Sequence, residues 1–141
     1  MSDTFHQLDK AFLKEHVSDF IALCQRNMKD EYWDESHFLT ELPQKWVYSF
    51  YVSHGDEVIG FIVASEKEQS IHIHKFVVDQ PFQGSGLGSR MLQHLVYQSQ
   101  KPITLKVRTD NEQGISFYKK HQFSITYSEK DMFSMLRSIA I

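Results

Sequence analysis

The chain contains a single cysteine, Cys24. No intrachain disulfide can form, no zinc cluster can be built from thiolates, and this usage fits a reducing interior. An excess of basic residues is also missing. The 15 Lys and Arg against 18 Asp and Glu leave a formal net charge of -3 with His neutral. A general nucleic-acid binder would carry a basic footprint, so that class is excluded, although a locally basic pocket is not. No apolar run approaches the roughly 20 residues of a membrane span. The opening "MSDTFHQLDK" shows no apolar signal core, and linkers, repeats and low-complexity tracts are missing as well. These absences leave a chain of 141 residues, 41% hydrophobic and 23% charged, suited to one domain (1–141) with a real core. The expected location is the cytoplasm, with no membrane and no nucleic acid among its partners.

What is present divides between two hydrophobic periods. Leu13, Val17, Phe20, Ile21 and Cys24 recur at helical spacing and predict an amphipathic helix over about 9–27, after a short strand near 4–7. Asp34 is placed to cap a short helix carrying Phe38 and Leu42, with Pro43 as its stop. The period then changes to two. "KWVYSFYV" and "EVIGFIVASE" predict a hairpin around "SHGDE", where Gly55 is available for positive φ, and "SIHIHKFVVD" adds a third strand. Leu87, Met91, Leu92, Leu95 and Val96 mark a helix ending near Gln100. "ITLKVR" follows as a strand reached through a right-handed crossover, hence parallel to the strand before it. Asp110 or Asn111 opens another helix, and "FSITYSE" and "DMFSMLRSI" are the last two strands. The fold class is α/β: helices, antiparallel hairpins, then β-α-β-α-β-β.

Between the third strand and its helix lies "QPFQGSGLGSRMLQHL", with glycine at 84, 86 and 88. A glycine-rich turn at a helix start points several backbone N–H groups one way, and the helix dipole adds partial positive charge. Phosphate oxygens can be held there without lysine, and side chains at the three positions would block their approach. No Lys-Ser/Thr follows Gly88, so the Walker A pattern is missing, and the turn does not sit in the opening βαβ unit of a dinucleotide fold.

Gln83-Gly84-Ser85-Gly86-Leu87-Gly88 resembles the acetyl-CoA loop of the GNAT N-acetyltransferases, and Val78-Asp79-Gln80-Pro81-Phe82 is similar to the approach to that loop, with proline one place late. About thirty residues on, "VRTDNEQGISFYKKHQF" resembles the family's second motif, in which Asn opens a helix bearing a Phe-Tyr pair. The resemblance spans roughly Trp46 to the C-terminus. "YWDESHF" and "LKVRTDN" also look like the ribosomal-protein alanine N-acetyltransferases, and small sugar-amine acetyltransferases share the outline. The resemblance implies a mixed, mostly antiparallel sheet, flanked by helices and splayed between its fourth and fifth strands (70–79 and 103–108), with the pantetheine arm of acetyl-CoA in the opening. It further implies that Gln83, Gly84, Gly86 and Gly88, with the backbone of Ser85, Leu87 and Ser89, cradle the pyrophosphate. Backbone groups of Phe76 and Val78 would pair with the pantetheine, and Asn111 would touch it from the other side.

Amine attack on a thioester needs an aligned donor, a stabilised oxyanion, a base and an acid. Tyr118 matches the family's general acid, and a phenol of pKa ~10 is protonated at neutral pH. The base is less direct. Lys106 stands where the alanine acetyltransferases have Glu, which removes their proposed base and favours a small-molecule amine over a protein N-terminus as acceptor. Lys106 would instead attract an acidic group of the substrate or lie over the cofactor. Other members place a carboxylate on the fourth strand, where this chain has His74, a competent base near its ordinary pKa of ~6.5. His72 and His74 have no recognisable third ligand, so no metal is expected. Tyr32, Trp33, Asp34, Glu35 and His37 are candidates to line the acceptor site. Gly114 costs its helix ~1 kcal/mol relative to Ala, and His121-Gln122 replaces the small turn usual before Phe123. The competing readings are a non-catalytic CoA-binding module and a nucleotide-binding α/β protein. Dimers are frequent in the family, so a homodimer stays open.

Overall fold

A computed structural model describes residues 3–28 and 33–139. The elements are β1 (Asp3–Gln7), α1 (Lys10–Asn27), α2 (Glu35–Leu39), α3 (Lys45–Tyr48), β2 (Phe50–His54), β3 (Glu57–Lys67), β4 (Ser70–Val78), a 3-10 turn (Gln80–Phe82), α4 (Leu87–Ser99), β5 (Ile103–Arg108), α5 (Glu112–Lys120), β6 (Ser124–Glu129) and β7 (Met132–Arg137). The strands form one seven-stranded sheet in the order β1-β2-β3-β4-β5-β7-β6. Every neighbouring pair is antiparallel except β4 and β5. Those two are parallel and pair only at Ile71–Ile103 and His72–Thr104. β4 then runs on to Val78 and β5 to Arg108 without a ladder between them, so the sheet forks.

A bulge in β4 decides which side chains face the fork. Val63 stands opposite Lys75, while Ala64 stands opposite Ile73, leaving His74 as the extra residue. Ile71 and Ile73 before it, and Phe76 and Val78 after it, pack with Leu87, Met91 and Leu95 of α4 and with Phe117 and Tyr118 of α5. On the other face Leu13, Phe20 and Leu23 of α1 and Phe38 of α2 cover Tyr51, Phe61, Val63 and Val77. Two apolar layers thus clamp the sheet, and burial of this kind is worth ~25 cal/mol per Å² of apolar surface. No helix among the described residues is long and apolar enough to cross a membrane.

Two boundaries differ from the sequence expectation. Lys45–Tyr48 is a helical turn and not the start of a strand. Its Lys45 is buried, with an ammonium that donates to the carbonyls of Phe38 and Thr40 (the latter at 2.7 Å) and a pKa that burial lowers to about 8. Asp34 caps α2 as expected, but that helix ends at Leu39, ahead of Leu42 and Pro43, because Thr40 closes it onto the Ser36 carbonyl. Of the two residues expected to open α5, Asn111 is its cap.

The chain has only 6 glycines, and glutamine often takes the left-handed backbone positions instead. Gln44, Gln69, Gln100 and Gln122 all have φ between 49° and 74°. Glu68 and Gln69 form the tight β3–β4 turn, where Asn-Gly is the favoured pair. Gln122, at φ 74°, closes α5 in the place a helix commonly gives to glycine. Gln122→Gly is therefore expected to raise unfolding stability in urea by about 0.5–1 kcal/mol. An unchanged or lowered midpoint would mean that the side chain at 122 carries no backbone strain.

Candidate active site

The loop after β4 is anchored by a buried carboxylate. Asp79 accepts from both sides of the Arg26 guanidinium (2.9 and 3.0 Å), from Asn27 Nδ2 (3.0 Å) and from the Gln80 N–H (3.1 Å). The Arg26 bond is the main reason its pKa lies below the usual carboxylate value. This cluster ties the end of α1 to the start of the glycine turn. Gln83 donates to the Val78 carbonyl at 2.8 Å and holds the next step of the turn.

Gly84 and Gly86 then take φ of 79° and 90°, and a Cβ on either would meet nothing within 4 Å. The protein itself does not fill the space above them. Left-handed backbone alone does not demand glycine in this chain, since glutamine holds it elsewhere. The bare positions at 84 and 86 open toward the outside of the turn. Gly86 is also the N-cap of α4 and offers no side-chain acceptor, and the first turn of α4 has no acidic residue. The N–H groups of Leu87, Gly88 and Ser89 have no intrahelical partner by helix geometry. Three donors and the positive end of a helix dipole are thus free to meet an anion.

The turn forms one end of a cleft of about 700 Å³ that runs along the fork. Phe76 and Val78 line it from β4, Gln83, Gly84, Gly86, Gly88 and Ser89 from the turn, and Asn111 and Tyr118 from the α5 side. Asn111 uses Oδ1 to accept from the Gly114 N–H at 2.9 Å. A Cβ at 114 would lie 2.5 Å from Asn111 Nδ2, so the glycine makes room for the folded-back amide. Tyr118 sits in an aromatic group with Phe76, Phe117 and Phe123, with ring centroids 5.4–6.3 Å away. His121 Nε2 lies 2.9 Å from Ser89 Oγ and links the end of α5 to the first turn of α4.

His74 belongs to the opposite face. Its Nε2 is 2.7 Å from Ser65 Oγ, and its ring centroid is 6.4 Å from Trp33 and 4.8 Å from His72. His72 Nδ1 is 2.8 Å from Thr104 Oγ1, across the last paired position before the strands part. Burial is the first cause lowering the pKa of both rings, to about 4 for His72, with cationic neighbours adding to it. Both are neutral at physiological pH.

The structure thus brings together most of the residues expected around acetyl-CoA and separates others from them. The Leu87 side chain is buried in the core and the exposed Ser85 turns its hydroxyl to the Phe82 carbonyl, and neither of these two expected residues is among those lining the cleft. Trp33 and His74 meet each other. Glu35 is exposed in the first turn of α2 and is not drawn into that group, and Lys106 is exposed on β5. Tyr32 lies outside the described residues. Among the described residues no group of three or more His, Cys, Asp or Glu is placed to hold a metal ion. Sequence reading missed Asn27, Met28, Gln113, Ser116 and Lys120, which also line the cleft. The α5 residues were detectable as a polar stripe at helical spacing. Asn27, with Met28 next to it, is tied to the cleft by Asp79 and by Gln83 Nε2 (3.5 Å), both more than fifty residues away in sequence.

A model described as the acetyltransferase (GNAT) family matches residues 9–123. The peptidyl-lysine N-acetyltransferase YjaB of Salmonella typhimurium is 30% identical over 108 residues, which cover 77% of this chain and 67% of that protein. The crystal structure of the ribosomal-protein-S18-alanine N-acetyltransferase from Escherichia coli is similar with a TM-score of 0.84 at 19% identity, covering 99% of this chain and 96% of that one. The PaiA N-acetyltransferase of Thermoplasma acidophilum, in complex with coenzyme A, has a TM-score of 0.76 at 16% identity, with 98% and 99% covered. At these identities the two structures speak for the fold.

Gly88 separates stability from binding. A Cβ there would make ordinary contacts of 3.6–3.7 Å with Phe117 and Val78, and the residue lies inside α4. Gly88→Ala is expected to stabilise the free protein by about 0.5–1 kcal/mol. The same methyl would project into the cleft and weaken acetyl-CoA binding by about tenfold, ~1.4 kcal/mol. Calorimetry on the two proteins would show both effects, and unchanged affinity would place the carrier outside this cleft.

Proposed function

This chain belongs to the acetyltransferase (GNAT) family, and on that footing we propose that it moves the acetyl group of acetyl-CoA to a primary amine of a peptide by direct attack in a ternary complex. The observation that supports this reading best is the fork. A bare, uncapped helix start lies at one end of it, and His74 and Tyr118 stand on opposite faces of the sheet beside it. Acetyl-CoA supplies an acyl group activated as a thioester. The donors of Leu87, Gly88 and Ser89 hold its pyrophosphate, and Asn111 and the edge of β4 at Phe76 and Val78 align the pantetheine.

The two faces suit the two proton transfers. With hydrogen on Nε2, donated to Ser65 Oγ, the His74 ring keeps its Nδ1 lone pair for the proton of the incoming amine. As the C–N bond forms and the C–S bond breaks, the Tyr118 hydroxyl on the other side protonates the leaving thiolate. Holding both partners at the fork lowers the entropic part of the barrier. The acceptor expected from Lys106 was a small amine. We favour a peptidyl amine because the relative with 30% identity is named for peptidyl-lysine.

Kinetics test the roles. Tyr118→Phe should lower kcat about a hundredfold while leaving acetyl-CoA affinity unchanged. His74 is active in its neutral form and its pKa is lowered, first by burial. Activity should thus persist above that pKa and fall as pH drops through it, with an acid limb below the ordinary ~6.5. His74→Ala should flatten that limb. An unchanged profile would remove His74 as base, and an unchanged kcat in Tyr118→Phe would remove the acid.

A further inference from the structure

The sheet face that bears His74 continues across β3, β4 and β5, and its polar side chains can be placed from register. His72 stands opposite Ser65 on β3 and Thr104 on β5. The His72–Thr104 and His74–Ser65 hydrogen bonds confirm that all four side chains share this face. Alternation then puts Lys67, two residues after Ser65, and Lys106, two residues after Thr104, on it as well. The residues between them turn the other way. Leu105 and Val107 enter the core beneath α4 and α5, and Glu66 binds Lys101.

Both lysines are exposed, and among the described residues neither ammonium has an ion-pair or hydrogen-bond partner. The nearby acids are committed or uninvolved. Asp110 pairs with Arg108 at 3.3 Å, and Glu68, in the adjoining turn, forms no ion pair among the described residues. The field of the two lysines reaches the site, since both contribute to the lowered pKa of His72 after burial and His74. Lys45 and Lys67 act on His74 in the same sense. A chain of net charge -3 thus presents unpaired positive charge beside its base. Such a field repels a cationic acceptor, attracts an anionic one and favours the neutral, nucleophilic form of an amine.

We propose that this face docks an acidic peptide, in which Asp or Glu side chains flanking the acceptor amine pair with Lys67 on one side of His72 and with Lys106 on the other. The inference rests on the reading of the chain as an acetyltransferase of peptidyl amines and adds the class of peptide. Lys67 and Lys106 are then specificity-determining residues, and the preference they impose is electrostatic and weakened by salt.

Fluorescence anisotropy measures this docking whether or not acetyl transfer follows. The probes are two labelled ten-residue peptides with one central lysine, flanked by Glu in one and by Gln in the other, added to the protein with coenzyme A at low salt. The Glu peptide is expected to bind about tenfold more tightly, the scale of two exposed ion pairs. The Lys67→Gln, Lys106→Gln double variant should bring the ratio near one, while Lys14→Gln on the exposed face of α1 should leave it unchanged. Equal affinities in the unaltered protein, no binding of either peptide, or a preference that survives the double substitution would overturn the proposal. A Glu peptide that binds with the expected preference but gains no acetyl group when acetyl-CoA replaces coenzyme A would support the docking face and contradict the peptidyl acetyltransferase reading.

Discussion

β4 and β5 hold together for two residue pairs and then part. Backbone N–H and C=O groups facing a gap inside a sheet are costly unless something pairs with them. A fork in the middle of a sheet therefore persists where its edges are used or wetted. Here the gap is walled by Phe76 and Val78 on one strand and by α5 beyond the other, and it leads to the start of α4. The cleft and the access to it follow from this parting of strands, and the β4 bulge sets His74 on the face away from Tyr118.

The use of glycine reinforces the same reading. Among the described residues glutamine, glutamate or lysine takes six left-handed positions, yet glycine is kept at 84 and 86, where no protein atom would touch a Cβ. Gly60 is different: a Cβ there would press within 3.0–3.3 Å of the Val77 carbonyl and the Met91 side chain. It allows α4 to pack close to β3, a structural need. Gly114 makes room for the cap of α5. Gly84 and Gly86 above the exposed helix start, and Gly88 just inside it, have no such internal reason, and there the shape of a ligand supplies one.

Much of this was legible in the sequence wherever local patterning and final structure obey the same rule. The alternation in "ITLKVR" gives β5 from Ile103 to Arg108, and Asp34 and Asn111 cap helices as their side chains suggest. What stayed hidden depends on long-range contacts. Strict alternation along β4 would put His74 and Phe76 on one face. The bulge opposite Val63 and Ala64 puts them on opposite faces, which assigns His74 to the Trp33 side and Phe76 to the Tyr118 side. "KWVY" reads as strand because its apolar pattern is visible and the two carbonyls that receive the buried Lys45 ammonium are not. The role of Asn27 and Met28 in the cleft emerges only when Asp79 draws in the end of α1.

Backbone amide resonances report on the fork most directly. In proton–nitrogen correlation spectra recorded during a coenzyme A titration, the N–H signals of Gly86 through Ser89 should shift furthest, as they take up charge-assisted hydrogen bonds. Smaller shifts should follow at Phe76 and Val78. Shifts confined to other parts of the sheet, or none at saturating ligand, would contradict the view that this opening holds the acetyl carrier.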